Sequence, residues 1–280
     1  MQKLDNLIAT VWEFYDSNGR HDMPWRQPNA EGEFNPYYVL VSELMLQQTQ
    51  VQRVTPKYLA FIRRFPTIES LAQASLSEVL QLWSGLGYNR RAKFLWQSAV
   101  AVHTRCNGQF PYEYKSLLGL PGVGPNTAGA ILVYAYNVPV AFTETNVRSV
   151  FIHHCFSDSQ EVSDKALQPL IETAVLRATQ SGNPNHTPRT WYWALMDYGS
   201  YLKKTLPNPS RRSKSYKRQT TFQGSLRQVR GQVLKLLTNG QQSYGALQQV
   251  IADDRLAEVL QALTHEELIK QNGSSYCLGA

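Results

Sequence analysis

The chain has 280 residues, enough for one large domain or two smaller ones, and 42% of them are apolar, enough for a substantial core. Its net charge of +7 and pI of about 9.3 favour a polyanionic partner, nucleic acid before an anionic membrane surface. Runs of 18 or more apolar residues are missing, and acids interrupt the apolar pattern of residues 1–20, which argues against a membrane span and a secretion signal and for a cytosolic protein.

Helical periodicity starts at once, with Leu4, Ile8, Val11, Trp12 and Tyr15 on one face. After "PWR" (24–26) comes "SELMLQQTQV" (42–51), which sets Glu43 among apolar residues and three amides, Gln47, Gln48 and Gln50. Leu40, Leu44, Gln47 and Val51 repeat at helical spacing, so the stretch predicts a packed helix. Taken alone, Glu43 and the glutamines mark its solvated face. "SLAQASLSEVLQLWSGLG" predicts short helices over 70–74 and 77–83, each with Ser at its N-cap. "NRRAKFLWQSAVAVHTRCNG" predicts a longer helix closed by Asn107-Gly108.

"LLGLPGVGPNTAGAIL" (117–132) is the most specific local signal. A tight turn of Pro121, Gly122, Val123 and Gly124 joins one short helix to another that starts near Pro125. Glycines let the backbone approach a ligand closely, and the following helix N-terminus offers N–H groups to an anion. The reading is a helix-hairpin-helix that clamps phosphate without regard to sequence; an ordinary αα-hairpin is the alternative. In "FTETNVRSV", Glu144 precedes an apolar helix, where a first-turn or capping acid is the plain expectation. Further helices follow over "VRSVFIHHCF", "KALQPLIETAVLRATQ" and "TPRTWYWALMDYGSYLKK", the last starting at Pro188. His153 and His154 are neighbours on a helix and do not share a face, so packing is expected of them rather than chelation.

Residues 198–251 hold ten Lys or Arg and no Asp or Glu. The richest part, "KKTLPNPSRRSKSYKRQ", reads as a basic loop or linker. Beyond it, "LRQVRGQVLKLL", "YGALQQVI" capped by Ser243, and "DRLAEVLQALTHEEL" predict three helices, and "IKQNGSSYCL" a β-hairpin around Asn272-Gly273, the plan of a winged helix. Cys106, Cys155 and Cys277 are far apart and form no C-x-x-C pair, so they read as reduced, mostly buried thiols. The chain is therefore all-α for most of its length. Its expected domains are residues 1–202, a basic loop or linker over 203–222, and a small α+β winged-helix-like unit over 223–280.

"PWR", "SELMLQQTQV", "GLGYNRRA" (85–92), "LPGVGPNTAGAI", "ETNV" and "MDYG" (196–199) together resemble the helix-hairpin-helix (HhH-GPD) base-excision DNA glycosylases. The resemblance covers residues 1–203 and is strongest to the MutY-type adenine DNA glycosylases, for which "MLQQTQV" is close to diagnostic. It implies their two-lobed fold and a monomeric, nucleoid-associated protein acting on double-stranded DNA with a mismatched or damaged base. In the family the Glu of this motif, here Glu43, protonates the departing adenine. The second Gln, here Gln48, fills the vacated stack, and the Tyr of G-L-G-Y, here Tyr88, wedges into the duplex. Such a wedge suits an enzyme that must extrude its base at a cost of a few kcal/mol. Cleaving an N-glycosidic bond then takes one carboxyl group as acid and another to stabilise the cationic sugar and handle water.

That second carboxylate is Asp in the family and Glu144 here; the extra methylene moves it by roughly 1.5 Å, enough to matter for rate. The resemblance also implies Trp25, Arg26, Asn126 and Asp197 for the base pocket; the alternatives are an N-terminal packing corner for Trp25 and Arg26 and a buried helix acid with a structural partner for Asp197. For the DNA backbone it implies Gln47, Gly122, Val123, Gly124, Asn126, Thr127 and Asn146. Lyases of the superfamily carry Lys where this chain has Asn126, so a monofunctional hydrolase is expected. The family's four cluster cysteines are replaced after Tyr201 by the basic segment, so no 4Fe–4S cluster and no other cofactor is expected. Lys203, Lys204, Arg211, Arg212, Lys214, Lys217 and Arg218 are expected to meet phosphates instead. No side-chain metal site is expected; the hairpin carbonyls near Leu118, Leu120 and Val123 are a candidate seat for a structural Na+ or K+. The family's larger Nudix-like tail, which reads the opposite 8-oxoguanine, is absent from residues 223–280. Adenine opposite guanine or 8-oxoguanine is the first expected substrate. A thymine or uracil mismatch glycosylase, or a non-catalytic binder of damaged DNA, is the alternative.

Overall fold

Helix starts in this chain are chemically marked. Short hydroxyl or acidic side chains accept from the first free backbone N–H groups at Thr67, Ser75, Glu144, Ser163, Thr187 and Ser243. The computed structural model describes residues 2–279 and, among them, fourteen α-helices and one three-stranded sheet. No described helix is long and apolar enough to cross a membrane. The chain divides into two units, each discontinuous in sequence.

The first unit comprises residues 1–39, 112–118 and 123–218. It holds α1 (Gln2–Asn18), a 3-10 turn (Pro24–Arg26), α7 (Tyr114–Leu118), α8 (Pro125–Tyr134), α9 (Thr145–Cys155), α10 (Asp164–Ala178) and α11 (Pro188–Thr205). Leu7, Val11, Val150, Phe151, Ile171, Trp191, Tyr192 and Leu195 form its core. Helix α11 packs on α9 and α1, and Gly199 permits the approach: a Cβ there would meet the Asn146 carbonyl oxygen at 2.5 Å. This is the local reason for the glycine in "MDYG".

The second unit comprises residues 40–111, 119–122 and 219–280. It takes most of α2 (Pro36–Leu46), then α3 (Val51–Arg64), α4 (Ile68–Ala72), α5 (Leu76–Trp83) and α6 (Arg90–Arg105). Phe61, Phe65, Leu71, Val79, Trp83 and Leu95 fill its centre. Its C-terminal part runs α12 (Leu226–Leu237), β1 (Gln242–Ser243), α13 (Tyr244–Val250), α14 (Leu256–His265), β2 (Ile269–Asn272) and β3 (Ser275–Leu278). The strands pair antiparallel in the order β1-β3-β2. This is the element order expected of a winged helix.

Four local expectations change. "SELMLQQTQV" is not one helix: α2 stops at Leu46, and Gln48 at φ +55° turns the chain before α3. The short helices start earlier than their serines suggested, because Thr67 and Ser75 are the caps and Ser70 and Glu78 close each box from its third position. The hairpin turns at Gly273-Ser274: Asn272 pairs with Ser275, and Gly273 at φ +62° takes the first corner, as a II′ turn requires. The three cysteines are half-buried.

Candidate active site

Glu43 lies on α2, half-buried, with Leu40, Leu44 and Met45 of the same helix fully buried around it. Past the helix, Gln47 and Gln48 are exposed.

The two expected wedge residues share an uncommon backbone. Gln48 (φ +55°) and Tyr88 (φ +49°) both adopt the left-handed conformation, which costs a non-glycine residue on the order of 1 kcal/mol or more unless its surroundings enforce it. Arg91 does the enforcing. Its buried guanidinium donates to the carbonyls of Leu44 (2.5 Å), Met45 (3.1 Å) and Gln47 (2.5 Å) before one wedge, and to Gly87 (3.0 Å) before the other. It also reaches Thr49 Oγ1 at 3.2 Å. Burial pushes its pKa down to about 10, and the guanidinium also lies over the Trp83 and Tyr88 rings, 5.4 and 5.3 Å from their centres. Sequence reasoning overlooked Arg91; the signal was a second Arg directly after "GLGYN".

Glu144 caps α9: Oε1 accepts from the backbone N–H of Asn146 (2.7 Å) and of Val147 (3.3 Å). The capping acid expected from the sequence alone is therefore present. Asn126, on the first turn of α8, donates to the Thr143 carbonyl at 2.7 Å and so ties the hairpin to the residue before Glu144. At the position of a lyase nucleophile the chain thus carries a positioning amide. Asn146 turns inward, its Nδ2 on Met196 Sδ at 3.5 Å and its Oδ1 buried without a partner, rather than out toward a phosphate.

The hairpin turn is held from outside. Ser98 donates to the Pro121 carbonyl at 2.6 Å. Gly122 has φ +74° and leaves no room for a side chain, since a Cβ would meet Phe94 Cβ at 2.5 Å. Gly122 is exposed and Gly124 half-buried, whereas Val123 and Thr127 are buried, so the glycine backbone is the open part of the turn.

Arg26 and Asp197, expected in a base pocket, are spent on each other. Arg26 donates to both carboxylate oxygens at 2.9 and 2.8 Å, and Arg20 adds its backbone N–H and Nε, both at 2.7 Å. Burial would raise the Asp197 pKa; the Arg26 and Arg20 contacts outweigh it and hold the carboxyl below its ordinary value. Both residues are buried, and the cluster pins the "PWR" turn to α11, a structural anchor. Trp25 stays half-buried on that turn.

The basic segment is only partly a loop. Lys203 and Lys204 end α11, and burial lowers the Lys203 pKa against the pull of Glu144. A 3-10 turn (Pro209–Arg212) packs on α9, and Val162 bridges to Ser213. Arg212 is committed there, donating to the carbonyls of Phe156 (2.6 Å), Ser157 (3.0 Å), Ser159 (3.0 Å) and Ile152 (3.2 Å). It caps the C-terminal end of α9, as cations do, and is not offered to a phosphate. Arg211, Lys214, Lys217 and Arg218 are exposed, Lys214 with Glu161 at 3.3 Å. Among the described residues there is no group of three or more His, Cys, Asp or Glu that could hold a metal ion.

Residues 41–173 match the family described as HhH-GPD superfamily base excision DNA repair protein. The chain is 35% identical to an adenine DNA glycosylase of Buchnera aphidicola over 196 residues, 70% of this chain and 52% of that protein. It thus spans about half the length of that relative. It is 34% identical to the adenine DNA glycosylase of Mycolicibacterium smegmatis over 239 residues, 80% of this chain and 78% of that one. Among solved structures it resembles a thermostable thymine-DNA glycosylase, with TM-score 0.59 and 26% identity, covering 71% of this chain and 87% of that one. The chain belongs to the HhH-GPD superfamily of base-excision DNA repair proteins.

Proposed function

We propose that the chain is a monofunctional DNA glycosylase that extrudes adenine mispaired with guanine or 8-oxoguanine from duplex DNA and hydrolyses its N-glycosidic bond. The observation that carries this reading is the likeness to the Mycolicibacterium smegmatis adenine DNA glycosylase over 80% of the chain, with Glu43, Gln48 and Tyr88 inside the segment 41–173 that matches the family. Glu43 protonates the departing base, Glu144 stabilises the cationic sugar and positions water, and Gln48 and Tyr88 occupy the opened stack. The hairpin at Gly122–Gly124 and the exposed Arg211, Lys214, Lys217 and Arg218 hold phosphates. Asn126 in place of a lysine supports hydrolysis without strand cleavage.

A second reading, a thymine or uracil mismatch glycosylase, is favoured by the likeness to a thymine-DNA glycosylase and by Glu144 where the adenine enzymes carry Asp. The test is incubation with duplexes carrying A:G, A:8-oxoG, T:G and U:G pairs, read with and without alkali. Alkali-dependent breaks at adenine are expected. Breaks at thymine or uracil alone would favour the second reading. Breaks without alkali would contradict monofunctionality, and a blank panel would remove the enzyme.

A further inference from the structure

The C-terminal segment touches the wedge. Gln219 donates its amide to the Gln48 side-chain oxygen at 2.9 Å and to the Tyr88 hydroxyl. Arg227, in the first turn of α12, donates Nη1 to the same hydroxyl at 2.6 Å, and its guanidinium lies 5.7 Å from the Tyr88 ring centre. Its Nη2 is anchored on the Thr220 carbonyl at 2.6 Å. Two exposed side chains on strained turns are thereby fixed by two side chains from about 130 to 170 residues further along the chain.

These contacts close a ring. Lys93 on α6, five residues after Tyr88, donates to the Glu266 carbonyl at 2.8 Å and pairs with Glu267 at 2.5 Å. Glu266 in turn pairs with Arg230 at 2.6 Å, one turn of α12 beyond Arg227. Helix α12 is thus linked to α6, which follows Tyr88, through Arg230, Glu266 and Lys93, and to Tyr88 itself through Arg227. A module that only filled space would have no need to grip the exposed tips.

We propose that Gln219 and Arg227 are positioning residues that pre-set Gln48 and Tyr88 for insertion, giving the C-terminal α+β segment a direct part in base extrusion. This deepens the proposed function and rests on it. An exposed Gln or Tyr loses rotamer freedom when it enters a base stack, and holding it beforehand removes part of that loss. Arg227→Ala should then lower insertion by several-fold to about tenfold while leaving the encounter with ordinary duplex unchanged.

The experiment uses the full chain and a duplex with 2-aminopurine beside an adenine opposite 8-oxoguanine. It reads the fluorescence rise on unstacking, the single-turnover excision rate, and the Kd for an undamaged duplex. For Arg227→Ala and Gln219→Ala the first two should fall together and the third should stay within about twofold; Arg227→Lys, which keeps a donor for the hydroxyl, should recover part of the loss. Tyr88→Phe keeps the ring and removes the hydroxyl, so it should reproduce the Arg227→Ala loss, and the double variant should be no worse than either. Additive losses, parental fluorescence, or faster insertion would overturn the proposal, the last making the contact a restraint. If the parent unstacks the probe but excises nothing, the glycosylase reading fails while the positioning test still stands.

Discussion

Arg26 and Arg91 are both buried guanidiniums, both close to motifs that the family resemblance assigns to the substrate, and they do opposite things. Arg26 faces a carboxylate, Asp197, and pairs with both of its oxygens. Arg91 instead donates to carbonyl and hydroxyl oxygens, among them those of Gln47 and Gly87, whose next residues sit strained and exposed, and it lies over the Trp83 and Tyr88 rings. A charge paired with a carboxylate in the interior marks an anchor. A charge that holds strained backbone outward marks a part built to meet something.

The comparison breaks most visibly at its anchor. Asp197→Asn leaves the buried Arg26 guanidinium and the half-buried Arg20 against a neutral amide and should cost about 3–5 kcal/mol of stability, read by chemical denaturation. Excision per folded molecule should be unchanged; a stable variant with lost excision would return Asp197 to the substrate. Arg91→Met should lower stability by about 2–4 kcal/mol, because buried carbonyls lose their donor, and should also abolish the unstacking signal. Loss of stability without loss of unstacking would make Arg91 an anchor like Arg26.

The basic segment sharpens the same distinction. Replacing Arg211, Lys217 and Arg218 by Ala should reduce the slope of log K against log salt for duplex binding by about 2–3. Arg212→Ala should leave that slope alone and lower thermal stability, since its donors serve the end of α9. The smallest effect belongs to His154, whose pKa is pushed to about 4 by burial and by His153 while its Nε2 meets the Tyr198 hydroxyl at 3.0 Å. Unfolded, it would protonate near its ordinary 6.5. The unfolded chain then binds more protons between these values, so stability should fall as pH falls through that window, and His154→Gln should flatten the decline. Asp197, whose pKa is also lowered, contributes stability that is lost only as pH falls below its ordinary 3.8.

Much of this was legible in the sequence because it is local. Helix periodicity, the Pro121–Gly124 turn, the Glu144 cap and the order of the C-terminal elements each depend on residues a few positions apart. What was not legible depends on long-range partners. Asp197 is 171 residues from Arg26, so nothing in "MDYG" shows that the acid is already satisfied. Arg212 meets carbonyls more than fifty residues upstream, so a charge run concealed a helix cap. The break at Gln48 was missed because Glu and Gln are good helix formers, and the carbonyl grip of Arg91 overrides that preference.

The account turns on Glu43 as the acid. The most direct test is single-turnover excision by Glu43→Gln on a duplex with adenine opposite 8-oxoguanine, measured beside its Kd for that duplex. The amide keeps shape and hydrogen bonding but has no proton to give, so binding should stay within about threefold while excision slows at least about a hundredfold. Excision at the parental rate by that variant would contradict the account.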